Sequence, residues 1–311
     1  MSVTVSADDI KRVKGMGFLQ QKGTDTFNAR TLTRNGKITV EEARKVADAA
    51  EKYGNGELAF TTRQTIEVQG IHYDHIDAFI AAIEDAGLMV GGTGPKVRPI
   101  VSCKGTTCQY GLYDTYGLSE KIHERFYIGY HGVKLPHKFK IAVGGCPNNC
   151  VKPELNDLSV IGQRYPTVDL EKCKGCKKCQ VELNCPIKIA KVVDGKLVID
   201  PNQCNHCGRC KGKCLFDAIS YQGGYKVSIG GRWGKKVSQG RGLEMIFETE
   251  CDCIGTKSPS ISPEYPLFTP TTSFLLKIAA LTTALIAAFI PGASPPEVNT
   301  PIFFILSFAS I

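Results

Sequence analysis

The sequence lacks several features that would place it in common functional classes. Residues 1–16 carry acidic and basic side chains but no apolar stretch, which excludes the usual build of a secretory signal. The basic residues are spread along the chain and form no run, which argues against nucleic-acid binding. Residues 91–95 lack the third glycine and the helix of a dinucleotide fingerprint, so no nicotinamide site is expected. We therefore expect a cytoplasmic globular protein that takes no electrons directly from a nicotinamide.

Cysteine, by contrast, is abundant. The chain has 14 cysteines in 311 residues. Disulfide bonds are a poor explanation for so many thiols in the reducing cytosol, which favours metal or redox chemistry. Twelve of the cysteines fall into three groups, and only Cys251 and Cys253 are left over. We expect these two to be free thiols.

The second and third groups form an internal repeat. They read C-x2-C-x2-C-x5-C-P from Cys173 and C-x2-C-x2-C-x3-C from Cys204. Three closely spaced thiolates with a distant fourth are typical of two-cluster ferredoxins, in which the fourth cysteine binds the other cluster. Two zinc sites are the alternative. The ferredoxin pattern assigns one [4Fe–4S] cluster to Cys173, Cys176, Cys179 and Cys214. It assigns the other to Cys204, Cys207, Cys210 and Cys185.

The first group consists of two close pairs, Cys103 with Cys108 and Cys146 with Cys150. Four thiolates predict one further metal centre, for which zinc is again the alternative. Residues 138–143 alternate polar and apolar side chains, which predicts a strand with Lys138 and Lys140 on one face. Beside a metal centre the two ammonium groups would form an anion site. A surface strand made soluble by lysines is the alternative.

With these motifs the chain resembles the sulfite and nitrite reductases that couple sirohaem to a [4Fe–4S] cluster, and the anaerobic sulfite reductase type most closely. The resemblance covers about residues 8–250. The matching stretches are residues 27–30 (FNAR), 61–64 (TTRQ), 97–100 (VRPI), 135–140 (LPHKFK) and 144–150 (GGCPNNC).

This resemblance implies roles for individual residues. The cysteines of the first group would hold the coupled cluster, with Cys150 bridging it to the sirohaem iron. Sulfite and the sirohaem carboxylates need fixed cations, for which arginine and lysine are suited. The implied catalytic cations are Arg30, Arg63, Arg98, Lys138 and Lys140. Residues 230–234 resemble a glycine-rich strand near the cofactor, which would add Arg232 to the cofactor-binding arginines, and a plain turn is the alternative.

The fold class implied is α+β. A ferredoxin-like half-module would occupy residues 8–88, and a sirohaem-binding domain residues 89–163 and 223–250. An inserted two-cluster ferredoxin domain would occupy residues 164–222. The pattern T-x-x-E at Thr39 is a capping box that opens one helix, and Asp74 is the expected N-cap of a second. Strands are expected near residues 29–33, 57–62 and 65–69.

The function implied is the six-electron reduction of sulfite to sulfide, fed through the two ferredoxin clusters. Nitrite is the alternative substrate, and a non-catalytic polyferredoxin is the alternative of a different class. The electron donor would be a pair of flavin and iron–sulfur subunits linked to NADH. Many relatives contain the half-module twice and this sequence contains it once, so we expect a homo- or hetero-oligomer.

The composition changes near residue 254. Residues 254–311 carry only four charged side chains and are rich in proline. Residues 274–290 are mostly apolar but fall short of the roughly 20 residues that span a bilayer. Membrane attachment through this segment is the minor alternative to a tail unrelated to the catalytic body.

Overall fold

The computed structural model describes residues 5–243 and 246–247, which form two compact units. The first unit comprises residues 5–102 and 117–142. The second comprises residues 103–116, 143–243 and 246–247. The remaining residues, which include Cys251, Cys253, the tail from residue 254 and the apolar segment 274–290, lie outside the described part of the chain.

The first unit is built on a small antiparallel sheet covered by helices. Its elements, in chain order, are α1 (Ala7–Met16), β1 (Phe18–Gln20), β2 (Thr26–Leu32), α2 (Val40–Tyr53), β3 (Leu58–Phe60), β4 (Thr65–His72), α3 (Ile76–Asp85), β5 (Met89–Val90) and β6 (Val101–Ser102). The strand order is β1-β2-β4-β3, and β5 also pairs with β2. Fully buried Phe18, Phe27 and Phe79 form the centre of its core. The predicted β-α-β-β-α order is confirmed.

The start of α2 is stabilised by the predicted capping box. The Thr39 hydroxyl accepts a hydrogen bond from the Glu42 amide at 3.2 Å, and the Glu42 carboxylate accepts one from the Thr39 amide at 2.6 Å. Each bond satisfies an amide that the first helical turn leaves without a backbone partner. The hydrogen bond from Arg34 is the main cause that lowers the pKa of Glu42 and keeps the carboxylate charged for this role.

Thr39→Ala is expected to destabilise the folded protein by about 1 kcal/mol, because the Glu42 amide then has no side-chain acceptor. Thr39→Ser keeps the hydroxyl and should stay within a few tenths of a kcal/mol of the parent. Urea unfolding measures both variants. Equal stability of the alanine and serine variants would contradict the role of the cap.

The prediction that Asp74 caps α3 is wrong. Residues Tyr73–His75 form a 3-10 turn, and α3 begins at Ile76 without a side-chain cap. The Tyr73 hydroxyl donates to Asp9 and accepts from Arg12, each at 2.7 Å, which holds this turn against α1. Because Tyr73 is anchored in this way, the helix starts later than the sequence pattern suggests.

A further helix, α4 (Thr115–Ile122), continues into a π-helical turn at His123–Ile128. The second unit contains β7 (Ile141–Gly144, which starts in the first unit), β8 (Leu158–Val168), α5 (Gln180–Asn184), β9 (Ala190–Val193), β10 (Lys196–Ile199), β11 (Ile219–Ile229), β12 (Arg241–Gly242) and β13 (Ile246–Phe247). Strands β8 and β11 form a long antiparallel ladder, with β7 beside β8 and the two short strands β12 and β13 beside β11.

The cysteine repeat lies in the chain segment that connects β8 to β11. The predicted limits of the insertion, residues 164 and 222, lie inside these strands, and the ladder continues to the pair Val168 and Ile219. The extra segment therefore comprises residues 169–218 as a structural element. It contains α5, the β9–β10 hairpin and a small core of its own around Val181, Leu197 and Ala218.

Among the described residues, no helix has the length and apolar character needed to cross a membrane.

Candidate active site

The four cysteines of the first group come together in the second unit. The Cys146 thiol interacts with the thiols of Cys103, Cys108 and Cys150. Burial, together with these neighbours, raises the pKa of Cys146 to about 11 and also raises that of Cys103. Thiols bind a metal as thiolates, so metal binding at such a group of cysteines releases the thiol protons. This donor set fits a [4Fe–4S] cluster.

Backbone contact between the two cysteine loops shapes this thiol cluster. The Gly145 amide donates to the Cys103 sulfur at 3.0 Å, and the Leu112 amide donates to the Gly145 carbonyl at 3.0 Å. A Cβ on Gly111 would lie 1.8 Å from the Gly105 carbonyl oxygen. These glycines are required for close approach, which the spacing of the cysteines alone did not reveal.

Two of the expected arginines lie close together in the first unit. Arg98 donates to the Gly92 carbonyl, and its Nε is buried without a hydrogen-bond partner among the described residues. Burial and the nearby Arg30 charge lower the pKa of Arg98. Arg30 itself pairs with Glu67 at 3.1 Å. A guanidinium that is half-buried, close to a second one and incompletely hydrogen-bonded favours a bound anion.

The two lysines lie on a different local structure from the one predicted. Strand β7 begins at Ile141, so the predicted strand is wrong for residues 138–140. These residues pair with residues 96–98 by a single parallel bridge, in which the Arg98 amide donates to the Phe139 carbonyl at 2.8 Å. Pro95 and Pro99 bound that partner segment and prevent a longer ladder. Lys138 is exposed, whereas Lys140 is only 8% exposed.

Arg63 joins the same region of the first unit. Its guanidinium donates to the carbonyls of Pro99 at 2.6 Å and Ile141 at 3.5 Å. These acceptors are the chain neighbours of Arg98 and Lys140. The structure thus gathers the five expected cations Arg30, Arg63, Arg98, Lys138 and Lys140 within the first unit.

Arg232 does not join them, because it belongs to the second unit. The glycine-rich strand expected at residues 230–234 is wrong, and the turn given as its alternative is found. The β11 ladder ends at Ile229, Gly230 has a left-handed φ of 79°, and Arg232 and Ser238 exchange backbone hydrogen bonds of 2.8 and 3.0 Å. The Arg232 side chain is exposed.

The first three cysteines of the third group line one cavity together with the last cysteine of the second group. The cavity walls include Cys185, Cys204, Cys207 and Cys210. This is the set that the ferredoxin pattern assigns to one cluster. The buried Tyr221 hydroxyl lies beside Cys210, and burial raises the pKa of the tyrosine well above its usual value.

The other four cysteines are placed less closely by the described contacts. Cys173, Cys179 and Cys214 belong to the small core of residues 169–218, while Cys176 is half-buried. The Leu197 amide donates to the Cys173 sulfur at 3.3 Å. Within the described part of the chain, no group of three or more Cys, His, Asp or Glu side chains is arranged to hold a single metal ion.

The internal repeat is visible in the backbone. Asp169 and Asp200 each precede the first cysteine of their group by four residues, and each accepts that cysteine's amide on its carbonyl, at 3.1 and 2.9 Å. Two residues after each first cysteine, Gly175 and His206 both adopt a left-handed φ, of 59° and 54°. The two-residue difference between the motifs is accommodated in α5.

Two further arrangements were not evident from the sequence. The buried Tyr127 hydroxyl accepts from the Gly92 amide at 2.9 Å, and burial raises its pKa to about 12. Its ring stacks on the His123 ring with 4.9 Å between the centroids. The four-residue spacing of the two aromatic side chains on one helix is the sequence signal for this contact.

The carboxylate of Glu154, which is largely buried, accepts hydrogen bonds from Lys226 at 2.7 Å and from Gln239 at 2.8 Å.

Family comparison agrees with this arrangement. Residues 93–255 match the nitrite and sulphite reductase 4Fe-4S domain, and residues 19–86 match the nitrite/sulfite reductase ferredoxin-like half domain. The chain belongs to the nitrite and sulfite reductase family. The resemblance drawn from the motifs is therefore confirmed, and family membership makes this an iron–sulfur protein of an oxidoreductase family.

Several of the proteins similar to this chain are named sulfite reductases. The coenzyme F420-dependent sulfite reductase of Methanocaldococcus jannaschii is 34% identical over 237 residues, which are 75% of this chain and 37% of that protein. One subunit of the anaerobic sulfite reductase of Salmonella typhimurium is 34% identical over 152 residues, 42% of each protein. The matched residues thus span less than half the length of either of these two relatives.

Solved structures share the fold. The structural match to dissimilatory sulfite reductase I covers 88% of this chain and 65% of that protein, with a TM-score of 0.62 and 18% sequence identity. The match to the NirA protein of Mycobacterium tuberculosis covers 98% of this chain and 45% of that protein, with a TM-score of 0.56 and 13% sequence identity. The expected α+β class with a ferredoxin-like half domain is confirmed.

Proposed function

We propose that this chain is the catalytic subunit of a sulfite reductase that reduces sulfite to sulfide with six electrons. The observation that carries the proposal is the arginine pair of the first unit, in which the half-buried Arg98 lies near Arg30 and its buried Nε has no described hydrogen-bond partner. Two guanidinium groups held close together repel each other until an anion lies between or beside them. A small oxyanion and a carboxylate-bearing cofactor both satisfy that need.

These residues fit the sirohaem of the family. Its carboxylates would be bound by Arg30, Arg63 and Arg98, because a planar guanidinium can bind a carboxylate through two parallel hydrogen bonds. When bound, sirohaem would supply the iron that takes the sulfur atom of sulfite. The chain brings the cations and the thiols close in sequence, since Arg98 precedes Cys103 by five residues and Lys140 precedes Cys146 by six.

The cysteines would hold three [4Fe–4S] clusters. Those of the first group would bind the cluster coupled to sirohaem, with Cys150 as the bridging ligand, and those of the inserted segment would bind the two ferredoxin clusters. We propose that the inserted segment receives electrons from flavin and iron–sulfur subunits linked to NADH. Because the half domain occurs once in this chain, a second copy or a homologous subunit would complete the assembly.

The two lysines would serve the oxygen atoms of the substrate. Each oxygen that leaves sulfite as water needs protons, and an ammonium group both neutralises the anion and donates a proton. Lys140 is the stronger candidate because it is only 8% exposed, so its charge is less screened by water than that of the exposed Lys138.

The proposal is tested on protein purified without oxygen from cells that make sirohaem. We expect the Soret and long-wavelength absorption bands of sirohaem, a shift of these bands on addition of sulfite, and about twelve irons per chain from three clusters. Reductase assays with sulfite and with nitrite then choose the substrate. Iron–sulfur absorption alone, with no sirohaem bands, would leave the polyferredoxin alternative.

Lys140→Gln is expected to lower kcat for sulfite about a hundredfold, because a buried proton donor and charge are lost together. Lys138→Gln should have a smaller effect, since that side chain is exposed. Lys134→Gln, an exposed neighbour in the same loop, is the matched control and should leave kcat unchanged. Steady-state kinetics across pH measures all three variants, and equal rates for Lys140→Gln and the control would overturn the assignment.

A further inference from the structure

Arg164 is a buried cation at the wall of the cavity that holds Cys185, Cys204, Cys207 and Cys210. It is only 5% exposed, although it carries a full charge. Apart from the cysteines, the polar side chains lining this cavity are Arg164 and Asn205. A [4Fe–4S] cluster with four thiolates would place a net negative charge in this cavity, beside the Arg164 side chain.

The backbone holds Arg164 against the cysteine motif. Its amide donates to the His206 carbonyl at 2.8 Å, and it forms a parallel bridge with Cys207. Gly208 adopts a left-handed φ of 68°, and a Cβ there would lie 2.8 Å from the Arg164 Cδ. The side chain of Arg164 therefore packs directly on the residue that follows a cluster ligand.

Arg164 also lines a second cavity of about 330 Å³ on the other side of the same motif. Its wall combines Cys207 and Gly208 with residues 109–112, which directly follow Cys108. Arg209 lies over the Tyr110 ring at 4.4 Å. The motif of Cys207 is thus in contact with the loop that follows a ligand of the first cysteine group.

We propose that Arg164 raises the reduction potential of the cluster bound by Cys185, Cys204, Cys207 and Cys210, and that this cluster is the inner one, which passes electrons to the cluster of the first cysteine group. This inference rests on the proposed function for the identity of the clusters. A fixed positive charge stabilises the reduced form, which is more negative by one unit than the oxidised form.

The electron balance is simple. The outer cluster, bound by Cys173, Cys176, Cys179 and Cys214, goes from its 1+ to its 2+ state as it gives one electron to the inner cluster. The inner cluster goes from 2+ to 1+, and returns to 2+ when it reduces the cluster of the first group. The electrons come from the proposed flavin and iron–sulfur donor, and no bond or proton changes in these transfers.

Arg164→Gln tests the proposal in the full chain with its clusters loaded. In a redox titration followed by EPR without sulfite, one cluster signal should move to lower potential, with its reduction constant about tenfold smaller, or about 59 mV. That signal should also broaden when the cluster of the first group is reduced, as expected for two neighbouring paramagnets. Arg164→Lys keeps the charge and should move the signal much less.

Lys196 provides the matched control at the other cluster, because its ammonium lies near Cys173 and donates to the Cys173 carbonyl at 2.9 Å. Lys196→Gln should shift a different signal, and less, since Lys196 is exposed. Unchanged potentials in Arg164→Gln, or equal shifts in the glutamine and lysine variants, would overturn the proposal. If the glutamine variant does not load its clusters, the lysine variant decides, because a shift there as large as tenfold also contradicts a role of charge. Cluster potentials do not depend on sulfite turnover, so an inactive enzyme with the expected shift would refute only the proposed function.

Discussion

Cys150→Ser is expected to abolish sulfite reduction while the protein remains folded. The Cys150 side chain is exposed, so its replacement removes no core packing. The proposed coupled cluster would lose the ligand that joins it to sirohaem. Loss of a residue that only supports a metal ligand typically lowers metal affinity or activity about ten- to a hundredfold. Loss of this ligand itself should therefore lower kcat by more than about a hundredfold.

Cys251→Ser is the matched control for this substitution, because Cys251 belongs to none of the three proposed ligand sets. Its activity, iron content and sirohaem spectrum should equal those of the parent. For Cys150→Ser we expect the two ferredoxin clusters to remain detectable by EPR and the sulfite-dependent change of the sirohaem bands to disappear. Undiminished turnover in Cys150→Ser would show that another residue bridges the two cofactors.

Gly111→Ala is expected to destabilise the folded protein strongly. The new Cβ would lie 1.8 Å from the Gly105 carbonyl oxygen and 3.2 Å from the Cys108 carbonyl oxygen, so the backbone on both sides of Cys108 must move. Overpacking of this kind destabilises by about 3 kcal/mol. The same shift should prevent assembly of the first cluster, so iron content should fall together with stability.

Gly132→Ala is the control for the added methyl group, because no atom lies within 4 Å of a Cβ at that position. Urea unfolding and iron analysis of both variants, prepared in parallel, provide the measurement. A stable Gly111→Ala protein with its full complement of iron would mean that the loop around Cys108 does not pack as described.

Short-range patterns predicted much of the fold. The Thr39 and Glu42 capping box is found as expected, because both partners lie within one helical turn. The repeat of the cysteine motifs is found again in the hydrogen bonds of Asp169 and Asp200, since each turn is closed by residues four positions apart. Features determined by neighbours in sequence are those that a single sequence reveals best.

Features that depend on distant partners were predicted less well. Residues 138–140 alternate as a strand would, but their neighbour is a segment bounded by two prolines, which no local pattern reveals. The 3-10 turn before α3 depends on contacts of Tyr73 with α1, more than sixty residues earlier in the chain. The predicted domain limit at Arg164 lies inside β8. The burial of this side chain against the Cys207 motif depends on the pairing of β8 with β11, which no local pattern reveals.

The ladder of β8 and β11 bears on how such a chain can gain or lose the segment between these two strands. Residues 169–218 leave and re-enter the strands at the paired positions Val168 and Ile219, so their two ends are adjacent before the segment folds. Lengthening a hairpin tip costs little chain entropy, because the closure penalty grows only with the logarithm of loop length. In evolutionary terms, this site allows the whole segment of residues 169–218 to be gained, lost or exchanged by a single insertion or deletion at a hairpin tip, while the pairing of β8 with β11 is kept.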